Sequence, residues 1–278
     1  MLLGGRDAAQ VERLGRDVQQ YAVPLVAPDG LPSQGTAEYL FSVNVAPAYR
    51  GQILARFAAS KWKAARAVVV SDSRDPTFTA LATTFGKEWT KLGGTSPEGE
   101  TYQSEAELTA LAGRLAKMQP ELIVLAASAL DIPKLRRQLP EAHRQVPVLC
   151  GGEEPLTVLA GDGEASAEVY GVTVYVASQD KPGEQEFAKR YEERFHETPD
   201  RQAALAYDSV RLVAEAMRRA QATTGAKLRD ELARMDNWDS VTGPLQIGLD
   251  HYARRAVFVV RLDKGHEVIV QRYEADSK

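Results

Sequence analysis

The residues of this sequence best suited to chemistry are charged and hydroxyl side chains in polar loops, each loop following a short apolar run. Ser71-Asp72-Ser73-Arg74-Asp75-Pro76 follows Ala67-Val68-Val69-Val70. Ser128 follows the run Glu121–Ala126, and Gly151-Gly152-Glu153-Glu154 follows Val146–Cys150. Nearer the start, Asp29-Gly30-Leu31-Pro32-Ser33 follows Val23–Pro28. A guanidinium such as Arg74 can grip a carboxylate through two parallel hydrogen bonds. A carboxylate such as Asp72 or Glu153 can hold a donor through charge-assisted ones. This is the chemistry of reversible capture, in which no bond of the captured molecule breaks. Each residue also has a plainer use: Arg74 as a solvated loop side chain, Asp72 as a loop cap, Glu153 as a cap at its Gly-Gly turn.

Covalent chemistry finds little support. The sequence has no G-x-S-x-G elbow, no H-E-x-x-H and no P-loop. Glu153 and Glu154 are neighbours without a positioned partner, so they do not read as an acid/base pair. Cys150 is the single cysteine, which excludes an intrachain disulfide, and its place at a strand end reads as a buried thiol. His143, His196, His251 and His266 are scattered, with no zinc-ligand spacing among them. No catalytic residue, metal or cofactor is expected. The net charge of −4, without a basic stripe interleaved with aromatics, speaks against a nucleic-acid partner. No apolar run reaches the length of a membrane span, and Met1-Leu2-Leu3 passes at once into Gly4-Gly5-Arg6-Asp7, unlike a secretory leader.

The elements that must position these loops follow from the pattern around them. Ala67–Val70 is a β-branched run with no apolar/polar alternation, which a strand buried on both faces requires. Helical patterns flank it, Arg50 to Lys63 before and Thr77 to Leu92 after. In an open parallel sheet, ligands sit beyond the carboxyl ends of the strands, which is where Asp72, Arg74, Ser128 and Glu153 fall. Strand and helix alternate to about residue 180, predicting a doubly wound α/β architecture. Three helices then follow, Pro182–Phe195, Arg201–Ala220 and Lys227–Met235, and the chain ends in strands joined by the turn Asp263-Lys264-Gly265. With 278 residues there is room for two lobes, the chain returning to the first and crossing back to the second.

Several stretches in this order carry a resemblance. They are Ala204-Leu-Ala-Tyr-Asp-Ser-Val-Arg-Leu-Val-Ala-Glu-Ala216, Val241-Thr-Gly-Pro-Leu-Gln-Ile247 and Ala256-Val-Phe-Val-Val-Arg-Leu262. Lys63-Ala-Ala-Arg-Ala-Val-Val-Val-Ser-Asp72 and the Gly151-Gly152-Glu153 turn belong to the same set. Together the sequence resembles the type I periplasmic binding proteins, specifically the branched-chain amino-acid (Leu/Ile/Val-type) receptor family. The resemblance implies two Rossmann-like lobes, the first from 1–43 plus 183–240 and the second from 44–182 plus 241–278. Crossovers are expected near Val43-Asn44, Ser178–Gly183 and Asp239–Thr242. Leu2-Leu3-Gly4 stands where the family has its third strand, so two βα units, roughly 60–80 residues at the usual size, lie outside the match. The expectations for the first lobe are an excerpt of a longer polypeptide, completion or covering by another chain such as a homodimer partner, or a rebuilt lobe.

The resemblance implies a non-enzymatic receptor that takes a small polar solute, amino-acid-like, amide or small carboxylate, into an interlobe cleft that closes by hinge motion. It implies an ABC-type permease as partner and a periplasmic or extracellular location. Two other readings stay open: a cytoplasmic or fused ligand sensor with a signalling partner, and a degenerate interaction or dimerisation domain that binds no ligand. Carried over by position, Glu153 matches the acid that holds a ligand ammonium with nearby carbonyls. The hydroxyl expected near the first helix falls on Ala8. The one expected after the second strand falls near Leu31, with Ser33 the close alternative. The aromatic expected in the opening loop falls on Pro76, with Phe78 two residues on, and another falls on Ser128 or Ala129. The expected ligand set is therefore Glu153, Arg74, Asp72, Ser128, Asp29, Ser33 and Phe78. Arg74 offers an alternative anion anchor, and Glu153→Gln and Arg74→Ala are each expected to weaken binding.

Overall fold

The structure, a computed structural model, describes residues 1–5, 8–30, 37–62, 66–177, 182–221 and 224–275, without the side chains of 8, 9, 165 and 182. The elements begin with β1 (Leu2–Leu3), α1 (Ala8–Gln20), β2 (Leu25–Ala27) and β3 (Leu40–Ser42). Next come α2 (Pro47–Trp62), β4 (Ala67–Asp72), α3 (Pro76–Lys91), β5 (Glu98–Tyr102), α4 (Glu105–Met118) and β6 (Leu122–Ala126). α5 (Asp131–Gln138), β7 (Val148–Cys150) and β8 (Val169–Thr173) follow. The chain closes with α6 (Pro182–Phe195), α7 (Arg201–Ala220), α8 (Gly225–Ala233), β9 (Leu245–Ile247), β10 (Ala253–Arg255), β11 (Val257–Asp263) and β12 (His266–Tyr273).

Two compact α/β units result. The second comprises Pro47–Thr173 and Phe258–Tyr273. Its sheet runs β12-β11-β8-β7-β6-β4-β5. From β8 to β5 neighbouring strands are parallel, and β11 joins β8 antiparallel. Val68, Val69 and Val70 of β4 lie in register with Ile123, Val124 and Leu125 of β6, and all six are buried. That is why these strands are written without polar alternation. The turn from β4 into α3 is encoded locally. Asp75 accepts the Thr77 amide at 2.8 Å as N-cap, and Pro76 starts the helix where its missing N–H costs nothing. α2 and α3 pack closely through Gly51, where a Cβ would come 2.4 Å from the Leu81 carbonyl oxygen.

The first unit comprises Met1–Ala46, Val174–Val257 and the terminal residues from Glu274. Its three-stranded sheet, β1-β2-β3, is parallel throughout. α7 buries Ala204, Leu205, Leu212, Val213 and Ala216 along one face. Asp208 sits fully buried on that face and accepts the Val241 amide at 2.9 Å, the Thr242 amide at 3.3 Å and the Thr242 hydroxyl. Arg255, also buried, reaches the Val43 carbonyl at 3.1 Å and Ser240 Oγ at 2.7 Å, with Asp208 3.8 Å away.

This cluster explains where the observed units differ from the lobes expected by sequence. The crossing expected near Asp239–Thr242 falls instead at Val257/Phe258, because Asp208 and Arg255 tie 240–255 to α7. Residues 44–46 also stay with the first unit. The Asn44 carbonyl accepts the Ala253 amide at 3.0 Å, and the Asn44 side chain donates to Asp29 at 2.7 Å. The other changes of unit come at Thr173/Val174 and Tyr273/Glu274, and Tyr175 already packs with Phe187, Ala204 and Val241.

Candidate functional site

The carboxyl ends of β5, β4, β6 and β7 are consecutive across the second unit's sheet, so their loops line one edge of it. At the end of β4, the buried Asp72 carboxylate accepts from the Arg74 amide at 3.0 Å, from Nε at 2.9 Å and from Nη2 at 2.6 Å. The side-chain hydrogen bond from Arg74 holds the Asp72 carboxyl below its usual range, and the same bond raises the guanidinium. The Arg74 side chain is 59% exposed over a carboxylate that is 9% exposed. Ser73 donates its amide to the Tyr102 carbonyl at 3.0 Å, linking the β4 loop to β5.

Tyr102 is buried, and its hydroxyl donates to Asp131 Oδ2 at 2.6 Å at the start of α5. Burial first, and Asp131 second, push that hydroxyl far above the ordinary tyrosine range. Lys134 Nζ donates to the other Asp131 oxygen at 3.0 Å. After β6, Ser128 Oγ donates to Glu154 at 2.6 Å and the Ala129 amide donates at 3.2 Å, while Leu130 stands 52% exposed. Phe78, in the first turn of α3, is half-buried.

Beyond β7, the Gly151-Gly152-Glu153 turn is organised from α2. Arg50 is buried, and its guanidinium donates to the Gly152 carbonyl at 2.7 Å, to the Gly151 carbonyl and to Glu153 Oε1. Gly152 is required by close approach, since a Cβ there would lie 2.8 Å from both the Ala127 carbonyl oxygen and the Ala129 amide nitrogen. Cys150 is buried beside this turn, its Sγ accepting the Gly152 amide at 3.3 Å, and burial pushes the thiol up to about 12. It is a packed thiol at neutral pH, not a nucleophile.

Of the residues singled out by sequence, Asp72, Arg74, Ser128 and Glu153 share this sheet edge, and Phe78 lies on the helix leading from it. Asp29 belongs to the first unit, at the end of β2. It is buried and held by Arg201 through two hydrogen bonds of 3.0 and 3.1 Å, and by Asn44. Ser33 lies outside the described residues. Sequence reading did not single out Arg50, Tyr102, Asp131, Leu130 or the role of Glu154. A signal existed for Arg50, which stands three and four residues before Ile53 and Leu54 on the buried side of α2. Among the described residues no group of three or more His, Cys, Asp or Glu side chains is placed to hold a metal ion. No helix among them is long and apolar enough to cross a membrane.

A family model described as periplasmic binding protein matches residues 1–267. No curated protein sequence matches the chain. Among solved structures, the leucine-binding protein LivK of Thermotoga maritima is 20% identical, with a TM-score of 0.85 over 98% of this chain and 79% of that one. LivJ of Streptococcus pneumoniae in complex with isoleucine is also 20% identical, with a TM-score of 0.80 over 98% of this chain and 78% of that one. A solute-binding protein of an ABC transporter from R. palustris, in complex with benzoate, is 18% identical. Its TM-score is 0.83 over 100% of this chain and 79% of that one.

Proposed function

The chain belongs to the periplasmic binding protein family, whose members are solute receptors and not enzymes, and from that premise we propose that it captures a small carboxylate at the loops beyond β4, β6 and β7. One observation carries the reading. The acids of these loops are already engaged, Asp72 by Arg74, Asp131 by Tyr102 and Lys134, and Glu153 by Arg50. The Arg74 guanidinium, in contrast, stands in solvent on its buried carboxylate. An exposed arginine whose orientation is fixed from behind is organised to receive a carboxylate in two parallel hydrogen bonds. Exposed Leu130 and half-buried Phe78 supply apolar surface for the rest of the solute. Small pockets commonly combine such surface with a few polar groups.

The molecules named with two of the structural neighbours support this choice of solute class. Isoleucine and benzoate, the molecules named with two of them, share a carboxylate and a compact apolar body. We further propose that the receptor serves an ABC-type uptake system and works in the periplasm or outside the cell, as the family's name and these neighbours suggest. The test is a thermal-shift titration of wild type and R74A with benzoate, 4-hydroxybenzoate, isoleucine, leucine and the uncharged benzamide. A ligand that binds only the folded chain raises Tm by mass action. Carboxylates are expected to raise Tm in wild type and to lose most of that effect in R74A. Equal shifts with benzamide, or undiminished shifts in R74A, would overturn the reading.

A further inference from the structure

The two edges of the second unit's sheet are written differently. β5, at one end, carries Glu98 and Glu100, and Arg114 holds Glu100 through two hydrogen bonds of 3.0 Å. Charge on an edge strand discourages pairing with another chain. β12, at the other end, is eight residues long and carries Val268, Ile269 and Val270 in succession, 36%, 42% and 42% exposed. No proline or lysine interrupts it, and its two charged residues, Glu267 and Arg272, flank the apolar centre. Both are turned onto their own unit: Glu267 accepts the Leu156 amide at 2.7 Å, and the Arg272 guanidinium lies over the Phe258 ring, 5.8 Å from its centroid. The outer side of such an edge offers its row of backbone N–H and C=O groups to a further strand.

The order of residues says which strand fits. Glu267-Val268-Ile269-Val270-Gln271 reads alike in both directions about Ile269, an apolar triplet between two polar side chains of equal length. A surface that meets itself across a two-fold axis must be self-complementary. An axis between two antiparallel strands stands perpendicular to the sheet, so each residue meets one that points to its own face, and successive residues alternate between faces. We infer that two copies of this chain join antiparallel through β12, with Ile269 on the axis, into one continuous sheet. Ile269 then meets Ile269 of the second copy, between two pairs of Glu267 with Gln271. On the opposite face Val268 meets Val270 on either side of the axis. Apolar pairs directly across an antiparallel ladder stabilise it, and over these five positions no like charges face each other. His266 meets Arg272 at each end. Moving the axis by one residue breaks the match. On Val270 it sets Ile269 against Gln271 and Val268 against Arg272; on Val268 it sets Ile269 against Glu267. The pairing does not depend on which solute the chain captures.

Sedimentation across a concentration series tests the pairing. An edge contact is smaller than a standard interface, so wild type is expected to pass from monomer to dimer in the micromolar range. I269K and I269E each set like charges against each other on the axis, and each should weaken the dimer by about tenfold or more. An equimolar mixture of the two sets a lysine against a glutamate and should dimerise again. Position 269 is an exposed edge position, so each variant alone should melt close to the wild-type monomer, which separates a lost contact from a lost fold. The register is read with introduced thiols, which are the accessible ones because Cys150 is buried. Under oxidation I269C should give a linked dimer, since residues directly opposite lie within disulfide reach. V270C should not, being roughly 7–8 Å from its own copy. A wild type that stays monomeric throughout the series would overturn the inference. So would an I269K variant that still dimerises, a mixture that does not, or linkage of V270C in place of I269C.

Discussion

Two arginine–carboxylate pairs, one in each unit, use the same chemistry to opposite ends. In the first unit Arg255 and Asp208 are both sealed from solvent, 3.8 Å apart at the nearest atoms, with Ser240, Thr242 and the Val43 carbonyl accepting from the two Nη groups while Nε has no hydrogen-bond partner among the described residues. In the second unit Asp72 is buried but Arg74 is 59% exposed. The surroundings act on the two guanidiniums in opposite directions. Burial pulls Arg255 down to about 10, whereas the hydrogen bond that Arg74 donates to Asp72 raises Arg74. On the function proposed above, the difference separates a pair that holds structure from one that holds a side chain out for use. A sealed pair makes its hydrogen bonds to the fold alone. A half-open pair has one partner fixed and one presented.

The comparison is broken most directly at Arg255. Substituting R255M leaves Asp208 buried and charged without its counter-ion, and such a loss typically costs about 3–5 kcal/mol. Chemical denaturation should show that drop, with the solute's affinity for the remaining folded protein little changed. A cost well under 1 kcal/mol would mean the buried cluster is no stronger than a surface pair. A smaller effect is expected from Y102F. It removes the hydroxyl donor from Asp131 inside the second unit and should cost about 1–3 kcal/mol, read in the same experiment. R74A removes the half-open partner of a buried carboxylate and should cost less stability than R255M, because Arg74 is 59% exposed and water can take its place, while carboxylate affinity falls by about tenfold or more. A variant that is destabilised but still binds would place Arg74 with Arg255, as structure.

What was legible in the sequence divides along the same line. The central strands were readable because Val68–Val70 and Ile123–Leu125 are buried on both faces and so carry no polar alternation. The β4–α3 turn was readable because Asp75 and Pro76 do their work within three residues. Asp72 and Arg74 are two residues apart, and their loop could be placed at a strand's carboxyl end before their bond was seen. Partners far apart in sequence were not readable. Arg50 and Glu153 are separated by 103 positions, and Asp29 and Arg201 by 172. A loop acid read in sequence gives no sign of its distant arginine: Glu153 entered the expected set by its match to the family's ammonium-binding acid and Asp29 by its place in a loop after a strand, and neither route shows Arg50 or Arg201. The bond that keeps the compact first unit running past the crossover expected near Asp239–Thr242 to Val257 is also long in sequence. Asp208 on α7 captures Val241 and Thr242, 33 and 34 residues onward, and keeps the β9–β10 segment in the first unit.

The smallest effect sharpens the comparison through pH. Asp72 has its carboxyl lowered in the folded chain, first by the hydrogen bond from Arg74. A group whose folded pKa lies below its unfolded value, about 3.9 for aspartate, stabilises the fold fully above that unfolded value. Its contribution fades as pH falls through the folded pKa, because the carboxylate must then take up a proton it prefers not to hold. D72N removes the titration while keeping the shape. The stability difference between wild type and D72N should therefore be constant from neutral pH down to about 5, shrink below about 4, and approach its minimum in stronger acid. Denaturation curves for the pair across that range would check it. Arg74 should follow the same profile in benzoate binding only after correction for the ligand's own carboxyl, so titration of an aryl sulfonate, which stays charged, is the cleaner probe. If its affinity holds steady while the D72N difference vanishes, Asp72 secures the loop but does not aim the arginine. If the two decline together, the buried carboxylate is what presents Arg74 to the solute.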